Sequence, residues 1–365
     1  MAIAAADSAH MARALQLAAR GRFTAHPNPM VGCVVVADGN VVGEGWHERA
    51  GEEHAEINAL RMAGDRAAGA TAYVTLEPCA HQGKTPPCAE ALVTAGVSRV
   101  VAAMQDPFEK VAGRGFEHLR EAGVDVDVGL MQAAAEALNT GFICRVSRGR
   151  PFVRLKVAAS IDGATAMESG ESQWITGPAA RHDVQKLRAR SGAVMTGVGT
   201  VLADDPSLNV RDRKIDTGGK QPLRVVLDSR LRMPLAATML TLPGETLVCC
   251  TSGEDAGALE DAGAQVREFG AHGDVVNVFE VLANLAERGI NDVLVEAGPR
   301  LAGYLVEKEL VDELVIYQAP HIMGSNTRGM FSTPVWTTLA DRKTLDVVDV
   351  RKVGDDTRIT ARLGN

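Results

Sequence analysis

Four residues in the first third of the chain have the types and spacing of a catalytic zinc site. His54 and Glu56 stand two residues apart, Cys79 follows twenty-three residues after Glu56, and Cys88 comes nine residues later. One imidazole and two thiolates give Zn²⁺ three protein ligands, and the fourth tetrahedral position stays open for a water. An open position is typical of a catalytic zinc. We therefore treat His54, Cys79 and Cys88 as candidate zinc ligands.

Glu56 is the candidate acid and base of the same site. A residue two positions after His54 does not share its helix face, so Glu56 is not expected to be a fourth ligand. Its carboxylate can still reach a water on the zinc, whose pKa the ion lowers toward ~7, and pass the proton to a departing amine. These parts together predict hydrolytic deamination.

Two other interpretations of these residues stay open on sequence alone. A lone His-Ala-Glu arises by chance, so the residues can be unrelated surface and core positions. The zinc can also be structural, with His81 near Cys79 as a fourth ligand, because structural sites use four protein ligands. We favour His81 as a substrate contact.

Length and composition indicate a globular protein of two domains. At 365 residues the chain exceeds one ordinary core, and 46% hydrophobic with 23% charged residues is an ordinary globular composition. The net charge of −8 comes with no basic stripe that would neutralise a phosphate backbone, so nucleic acid is not an expected partner.

Membrane insertion and secretion are also not expected. No run of 18 apolar residues is present, and the segment 1–20 lacks the basic region and apolar stretch of a signal peptide. Six cysteines are too few for a disulfide scaffold, so we expect reduced thiols and a cytoplasmic protein.

Helix and strand patterns place the candidate zinc ligands at the ends of elements. His54 begins a helix, a strand over 71–76 delivers Cys79 at its end, and a second helix begins at Pro87 and Cys88. The site is therefore expected where two helices start beside one another. The partial positive charge of helix N-termini stabilises thiolates and lowers the pKa of cysteine.

Alternating helices and strands over the whole chain predict an α/β fold. We expect a first domain over 1–146, a linker over 147–150 and a second domain over 151–365, without an internal repeat. The first domain is expected to open with a helix capped by Asp7 or Ser8 and to close with a helix over 131–144. The strands predicted for the second domain are 152–159, 192–196, 223–228, 246–251, 292–296 and 313–320, with a hairpin of 345–353 and 358–363, and its helices are 178–189 and 275–288.

The segments 54–56 and 78–88 resemble the bifunctional deaminase-reductases of riboflavin biosynthesis. Nucleobase deaminases commonly carry C-x-x-C, whereas eight residues separate Cys79 and Cys88 here and include Gly83, Lys84 and Thr85. The segments 156–163, 197–211 and 296–304 resemble the reductase half of the same family. The resemblance implies an N-terminal cytidine deaminase-like three-layer α/β/α domain followed by a C-terminal dihydrofolate reductase-like α/β domain.

For the first domain, the resemblance implies deamination of 2,5-diamino-6-(5-phosphoribosylamino)pyrimidin-4(3H)-one, a small molecule that loses its ring 2-amino group. By position, Asn28 would hold the pyrimidine edge, and His81 and Lys84 would lie near the ring and the ribose phosphate. Asn28 can instead be a turn residue before Pro29, and Lys84 can simply be solvated.

Two glycine turns of the second half stand at strand ends, at 196–200 and 296–303, although neither has the Rossmann spacing G-x-G-x-x-G. The second turn leads into a helix and can offer backbone N–H groups to a phosphate, or it can be structural only. The resemblance implies that NADPH binds here and reduces the ribose at C1′.

The resemblance also implies site residues for the reductase half. Cofactor contacts would be Ala158, Trp174, Thr200, Asp204, Ser229, Gly298, Pro299, Arg300, Leu301, Ala302, Gly303 and Tyr304. Substrate contacts would be Ser172, Arg188, Leu208, Arg211 and Glu296, with the arginines suited to the ribose phosphate. Lys156 and Glu296 are the candidates for proton handling, although an ordinary strand-face lysine and strand-end glutamate stay as alternatives. Trp174 can equally be a core aromatic.

The sequence departs from the family pattern at several positions. Tyr304 replaces a frequent small residue, His321 replaces a frequent lysine, and Phe108 begins a divergent loop.

One rival interpretation is a monofunctional nucleobase or nucleoside deaminase whose second domain only binds or dimerises. A metal or nucleotide sensor is a non-enzymatic rival. The resemblance further implies a homo-oligomer, a dimer or tetramer.

Overall fold

The computed structural model describes residues 5–80, 87–108 and 112–364. The chain divides into two compact units, Met1–Gly149 and Arg150–Asn365. Within the described ranges, every helix is too short or too polar to span a bilayer. All six cysteines are free thiols, as expected for a reduced protein.

The first unit is built from alternating helices and strands. Its helices are α1 (Ala5–Ala18), α2 (Ala55–Ala63), α3 (Cys88–Thr94), α4 (Arg114–Glu121), α5 (Gln132–Leu138) and α6 (Thr140–Arg148). Its strands are β1 (Gly32–Ala37), β2 (Asn40–Trp46), β3 (Thr71–Val74), β4 (Arg99–Ala102) and β5 (Asp125–Val128).

The strands form a sheet in the order β2-β1-β3-β4-β5 with helices on both faces. The β1 strand is antiparallel to β2 and β3, whereas β3, β4 and β5 are parallel. Side chains of α2, α3 and α4 bury one face, and side chains of α1 and α5 bury the other. This is the expected three-layer α/β/α arrangement.

Glycines in β2 let α2 lie directly on the sheet. A Cβ atom at Gly45 would stand 2.3 Å from the Ala55 carbonyl oxygen, and one at Gly43 would stand 2.2 Å from that of Ala59. Any side chain would therefore push the helix away. Helix α2 carries Glu56 and is preceded by His54. These two glycines therefore determine how close both residues of the candidate site lie to the sheet.

The second unit contains a longer series of elements. Its helices are α7 (Pro178–Arg190), α8 (Val198–Asp204), α9 (Thr238–Thr241), α10 (Gly257–Asp261), α11 (Val278–Glu287) and α12 (Pro299–Glu307). Its strands are β6 (Phe152–Ser160), β7 (Ala164–Met167), β8 (Ala193–Gly197), β9 (Leu223–Leu227), β10 (Thr246–Cys250), β11 (Gln265–Glu268), β12 (Ala271–His272), β13 (Val275–Val276), β14 (Asp292–Glu296), β15 (Glu313–Ala319), β16 (Thr327–Gly329), β17 (Leu345–Val353) and β18 (Asp356–Leu363).

The main sheet of this unit has the order β11-β10-β9-β8-β14-β6-β15-β18-β17. Neighbouring strands from β11 to β15 are parallel, and β18 and β17 close the sheet with antiparallel pairs. Two apolar clusters cover its faces, one with α11 and α12 and the other with α7. The carboxyl ends of β6, β8, β9 and β14 meet at one edge, where α/β sheets bind ligands.

The structure corrects several sequence-based expectations. The helix expected over 131–144 is interrupted at Asn139, and α6 continues to Arg148 into the segment expected as linker. Asp7 lies inside α1 and does not cap it, because its carboxylate accepts hydrogen bonds from Tyr73 and Arg99. The helix expected from residue 275 begins at Val278 after the short strand β13.

Candidate active sites

The expected zinc ligands converge at the starts of two helices. His54 is the N-cap of α2, Pro87 is the N-cap of α3, and Cys88 is the first residue of α3. Nδ1 of His54 lies 3.2 Å from Sγ of Cys88 and 3.6 Å from Sγ of Cys79, and all three donor atoms lie within 4.8 Å of one another. Ligands that share a tetrahedral zinc stand ~3.6 Å apart. The donor set therefore fits zinc in both chemistry and separation.

The two sulfurs interact through hydrogen bonds. The bond from Cys88 lowers the pKa of the Cys79 thiol to about 4, and the backbone N–H of Cys88 also donates to Cys79 Sγ at 3.3 Å. The same sulfur contact, together with burial, raises the pKa of Cys88. The pair thus already holds one thiolate at neutral pH.

Glu56 is buried beside the sulfurs. Only 3% of the residue is exposed, and its carboxyl group is in hydrogen-bond contact with Cys88. Burial raises the pKa of Glu56 to about 7, and the charge of Cys79 adds to this shift. A carboxyl group held here can take or give a proton close to the three donor atoms.

His47 was not predicted from the sequence as a site residue, but it orients Asn28. The Nδ2 amide of Asn28 donates to Nε2 of His47 at 3.0 Å, and Nδ1 of His47 donates to the carbonyl of Glu53 at 3.1 Å. Burial, followed by repulsion from His54, lowers the pKa of His47 to about 4, so the ring is neutral. Asn28 is more than a turn residue, because its side chain is held by His47, and its expected contact with the pyrimidine stays a prediction.

Two further residues missed in the sequence fix the segments around this site. Glu77 accepts hydrogen bonds from the backbone N–H groups of Asp106, Gly113 and Gly115 at 3.1, 2.9 and 2.9 Å. Asn139 binds both backbone groups of Met30, at 2.8 and 2.9 Å. Neither residue belongs to a recognisable motif, so only contacts across the fold identify them.

His81 and Lys84, the other expected contacts of the first unit, lie outside the described residues. Their roles therefore stay predictions.

The second unit has a cavity of about 1320 Å³ at the carboxyl edge of its parallel strands. Most of the expected cofactor and substrate residues line it. These are Lys156, Ala158, Ser172, Trp174, Arg188, Thr200, Asp204, Leu208, Arg211, Ser229, Glu296, Gly298, Pro299, Arg300, Leu301 and Tyr304.

Ala302 and Gly303 are not among the described residues that line the cavity. Ala302 belongs to the apolar core, and a Cβ atom at Gly303 would stand 2.1 Å from the Ser332 carbonyl oxygen. Their expected contact with a cofactor stays a prediction. Trp174 is 66% exposed and lines the cavity, which excludes the interpretation that it is a core aromatic.

Glu296 and Arg188 form a buried ion pair inside the cavity. Nε and Nη2 of Arg188 donate to the two carboxylate oxygens of Glu296 at 2.6 and 3.1 Å, and Nη1 donates to the carbonyl of Asn209 at 3.0 Å. Arg188 therefore uses one N–H of each guanidinium nitrogen on protein acceptors, and its expected contact with the substrate stays a prediction.

Lys156 approaches the same carboxylate, with Nζ 3.8 Å from Oε2 of Glu296. Burial acts to raise the pKa of Glu296, but the charges of Arg188 and Lys156 outweigh it and hold the pKa below its usual value. Burial lowers the pKa of Lys156, which the charge of Glu296 partly offsets. Glu296 is thus a carboxylate, and Lys156 is the group that can donate a proton.

Two family models match the chain. The RibD C-terminal domain matches residues 151–359, and the cytidine and deoxycytidylate deaminase zinc-binding region matches residues 4–104. With the layers described above, these matches confirm the expected cytidine deaminase-like unit and the reductase unit that follows it.

Curated proteins and solved structures match nearly the whole chain. The riboflavin biosynthesis protein RibD of Escherichia coli is 51% identical and covers 96% of this chain and 97% of its own length. The RibD protein of Haemophilus influenzae is 47% identical, covering 97% and 96%.

Among solved structures, Acinetobacter baumannii RibD (form 1) has a TM-score of 0.93 at 46% identity and covers 99% of each chain. A Thermotoga maritima diaminohydroxyphosphoribosylaminopyrimidine deaminase/5-amino-6-(5-phosphoribosylamino)uracil reductase has a TM-score of 0.88 at 32% identity, covering 98% and 99%.

Proposed function

The chain belongs to the RibD family, the bifunctional deaminase-reductases of riboflavin biosynthesis, and we propose how its residues divide the two activities. The first unit deaminates 2,5-diamino-6-(5-phosphoribosylamino)pyrimidin-4(3H)-one with zinc. The second unit reduces 5-amino-6-(5-phosphoribosylamino)uracil with NADPH. The observation that carries the proposal is the convergence of His54, Cys79 and Cys88 in one unit and the cavity that contains Glu296 in the other.

In the deaminase unit, His54, Cys79 and Cys88 hold zinc, which when bound supplies the Lewis acidity that makes a water nucleophilic near neutral pH. Glu56 would take up a proton from the attacking water and give it to the amine that leaves as ammonia. Asn28, oriented by His47, accepts a hydrogen bond from the pyrimidine edge through Oδ1.

In the reductase unit, NADPH when bound would supply a hydride to C1′ of the ribose, and opening of the ring would require a proton on its oxygen. Lys156 donates this proton, because Glu296 is kept ionised by Arg188. The start of α12 at Pro299, preceded by Gly298, offers backbone N–H groups to a cofactor phosphate.

The two activities are tested in parallel with one variant for each site. Glu56→Gln is expected to abolish ammonia release from the diaminopyrimidine while NADPH oxidation by the deaminated substrate continues. Lys156→Met is expected to give the reverse pattern. Each variant is the control for the folding of the other. If the wild-type protein releases ammonia but never oxidises NADPH, the monofunctional deaminase is the better description.

We also propose that the protein is a cytoplasmic homo-oligomer, a dimer or tetramer. Supporting this, β17 is an edge strand with exposed apolar side chains at Leu345, Val347, Val348 and Val350. Such a strand is prone to pair with a second copy. Light scattering on wild type and Val347→Lys tests this, since a monomeric wild type would contradict the proposal.

A further inference from the structure

One wall of the cavity in the second unit is a segment without regular secondary structure. Residues 172–176, the wall segment, lie between β7 and α7, and all five line the cavity of about 1320 Å³. Gln173 and Trp174 are exposed, so packing does little to hold them in place. The position of the wall segment therefore depends on how its two ends are held.

The carboxyl end of the wall segment is fixed by a residue from the last hairpin of the chain. The backbone N–H of Gly177, which precedes α7, donates to Oδ2 of Asp356 at 2.8 Å, although the two residues are 179 positions apart. Asp356 is the first residue of β18 and is only 2% exposed. A hydrogen bond from a backbone N–H to a carboxylate is charge-assisted and stronger than one between neutral groups. This bond anchors the wall segment where the helix begins.

The turn before Asp356 packs directly on the start of α7. Gly354 has a φ of +64°, and a Cβ atom there would stand 2.7 Å from Cβ of Ala179. Any side chain at this position would push the turn away from the helix. The glycine therefore allows the close approach that brings the carboxylate of Asp356 to Gly177.

The body of α7 is held by other contacts. The carboxylate of Asp183 accepts hydrogen bonds from Oη of Tyr317 at 2.6 Å and from Nη1 of Arg358 at 2.9 Å. The helix also buries apolar side chains in one of the two clusters that cover the main sheet. Loss of the Asp356 carboxylate is thus expected to release the wall segment and to leave α7 in place.

We propose that Asp356 is a positioning residue of the reductase. By holding Gly177, it keeps the wall segment at the cavity with Ser172 and Trp174, which are an expected substrate contact and an expected cofactor contact. Asp356 is not among the described residues that line the cavity, so it acts through the wall segment and not by touching a ligand. This inference rests on the proposed function of the second unit.

The kinetic test compares Asp356→Ala with the exposed neighbour Asp355→Ala. Asp356→Ala is expected to raise the KM for NADPH and for 5-amino-6-(5-phosphoribosylamino)uracil about tenfold, the effect of one lost charge-assisted hydrogen bond, with kcat changed less than about threefold. A retained kcat also shows that the second unit is folded. Asp356→Asn keeps an acceptor for Gly177 and should recover most of the affinity, and Asp355→Ala should match the wild type. Unchanged KM values in Asp356→Ala would overturn the positioning role.

A double-mutant cycle on NADPH binding, measured by calorimetry, shows whether Asp356 acts through the wall segment. In the Trp174→Ala background, Asp356→Ala should weaken binding less than about twofold, because the contact that it positions is already gone. Equal losses in the two backgrounds would show that Asp356 acts by another route, and would overturn the proposal.

Hydrogen exchange of the protein without ligands separates this inference from the proposed function. Asp356→Ala should speed the exchange of the amides of residues 172–177 about tenfold, since one hydrogen bond is lost there, and should leave the amides of α7 from Asp183 onward unchanged. Unchanged exchange at residues 172–177 would overturn the anchor. A wild type that shows the anchor but never oxidises NADPH would remove the reductase assignment and leave the anchor standing.

Discussion

The amide of Asn28 is held by the ring of His47, with Nδ2 and Nε2 3.0 Å apart. The ring is fixed in turn by the Glu53 carbonyl, one residue before the zinc ligand His54. Asn28, the proposed pyrimidine contact, and the segment that leads into His54 are therefore connected through a single neutral imidazole. From this connection we predict that His47 positions Asn28 for deamination.

Replacing His47 with phenylalanine should weaken substrate binding by removing the acceptor for Asn28. We expect the KM for the diaminopyrimidine to rise about tenfold, the usual effect of one lost hydrogen bond at a site, with kcat less affected. His47→Gln keeps an acceptor and a donor and should restore part of the affinity. Steady-state ammonia release and zinc content should be measured for both variants. Loss of zinc from His47→Phe would show that the hydrogen bond of His47 to the Glu53 carbonyl holds the segment before His54, since phenylalanine keeps the edge-on ring contact with His54.

Replacing Glu77 with glutamine should loosen the turn that carries Cys79. The carboxylate accepts three backbone N–H groups, and an amide NH₂ in place of one oxygen would face donors. An unsatisfied buried donor costs about 1–3 kcal/mol, so we expect roughly tenfold weaker zinc retention in competition with a chelator. Glu90→Gln is the matched control, since Glu90 is exposed and pairs with His118. Equal zinc affinity in both variants would contradict this role.

Replacing Glu296 with glutamine should shift the pH profile of the reductase. The charge of Glu296 raises the pKa of Lys156 against the effect of burial, so its removal lowers that pKa further. Because Lys156 must be protonated to donate, the alkaline fall in rate should move to lower pH. NADPH oxidation across the pH range measures the shift. An alkaline limb unchanged in Glu296→Gln would exclude Lys156 as its origin.

Asp292 should make the stability of the second unit fall as pH rises. Burial raises the pKa of Asp292 from 3.8 to about 6, partly offset by Arg154. The folded state then binds the proton more tightly than the unfolded state, so this contribution is complete below pH 4 and lost as pH rises through 6. A shift of this size is worth at most about 3 kcal/mol, since one pKa unit equals about 1.4 kcal/mol.

Asp292→Asn should flatten this part of the slope between pH 4 and 7, measured by thermal unfolding at each pH. The exposed Asp255→Asn is the control. Parallel slopes for wild type and Asp292→Asn would show that Arg154, 3.6 Å away, keeps the carboxylate ionised.

The zinc set was predictable because its residues carry their own structural signals. His54 caps α2, Cys88 begins α3, and Cys79 follows five residues after the end of β3, so the sequence pattern alone implied that the donors share one edge. Most elements of the parallel sheet were predictable for a similar reason, since each is a short apolar run with turn residues at its ends.

Contacts between distant segments were not predictable in this way. Arg188 and Glu296 are 108 residues apart, and nothing local distinguishes an arginine that pairs with a carboxylate from one that binds phosphate. His47 stands in a loop without a motif. The break at Asn139 depends on its hydrogen bonds to Met30, which outweigh the helical periodicity of the surrounding residues.

Gly43 and Gly45 of β2 are important for the candidate site although glycine carries no functional group. Both glycines pack against the backbone of α2, and the lack of a side chain at each sets how closely His54 and Glu56 approach the sheet. A substitution survey of deamination would score both as if they were catalytic. Side chains added at these two positions to stiffen the hairpin would therefore lower deaminase activity. Substitutions for that purpose should be made on the solvent-facing side of β2.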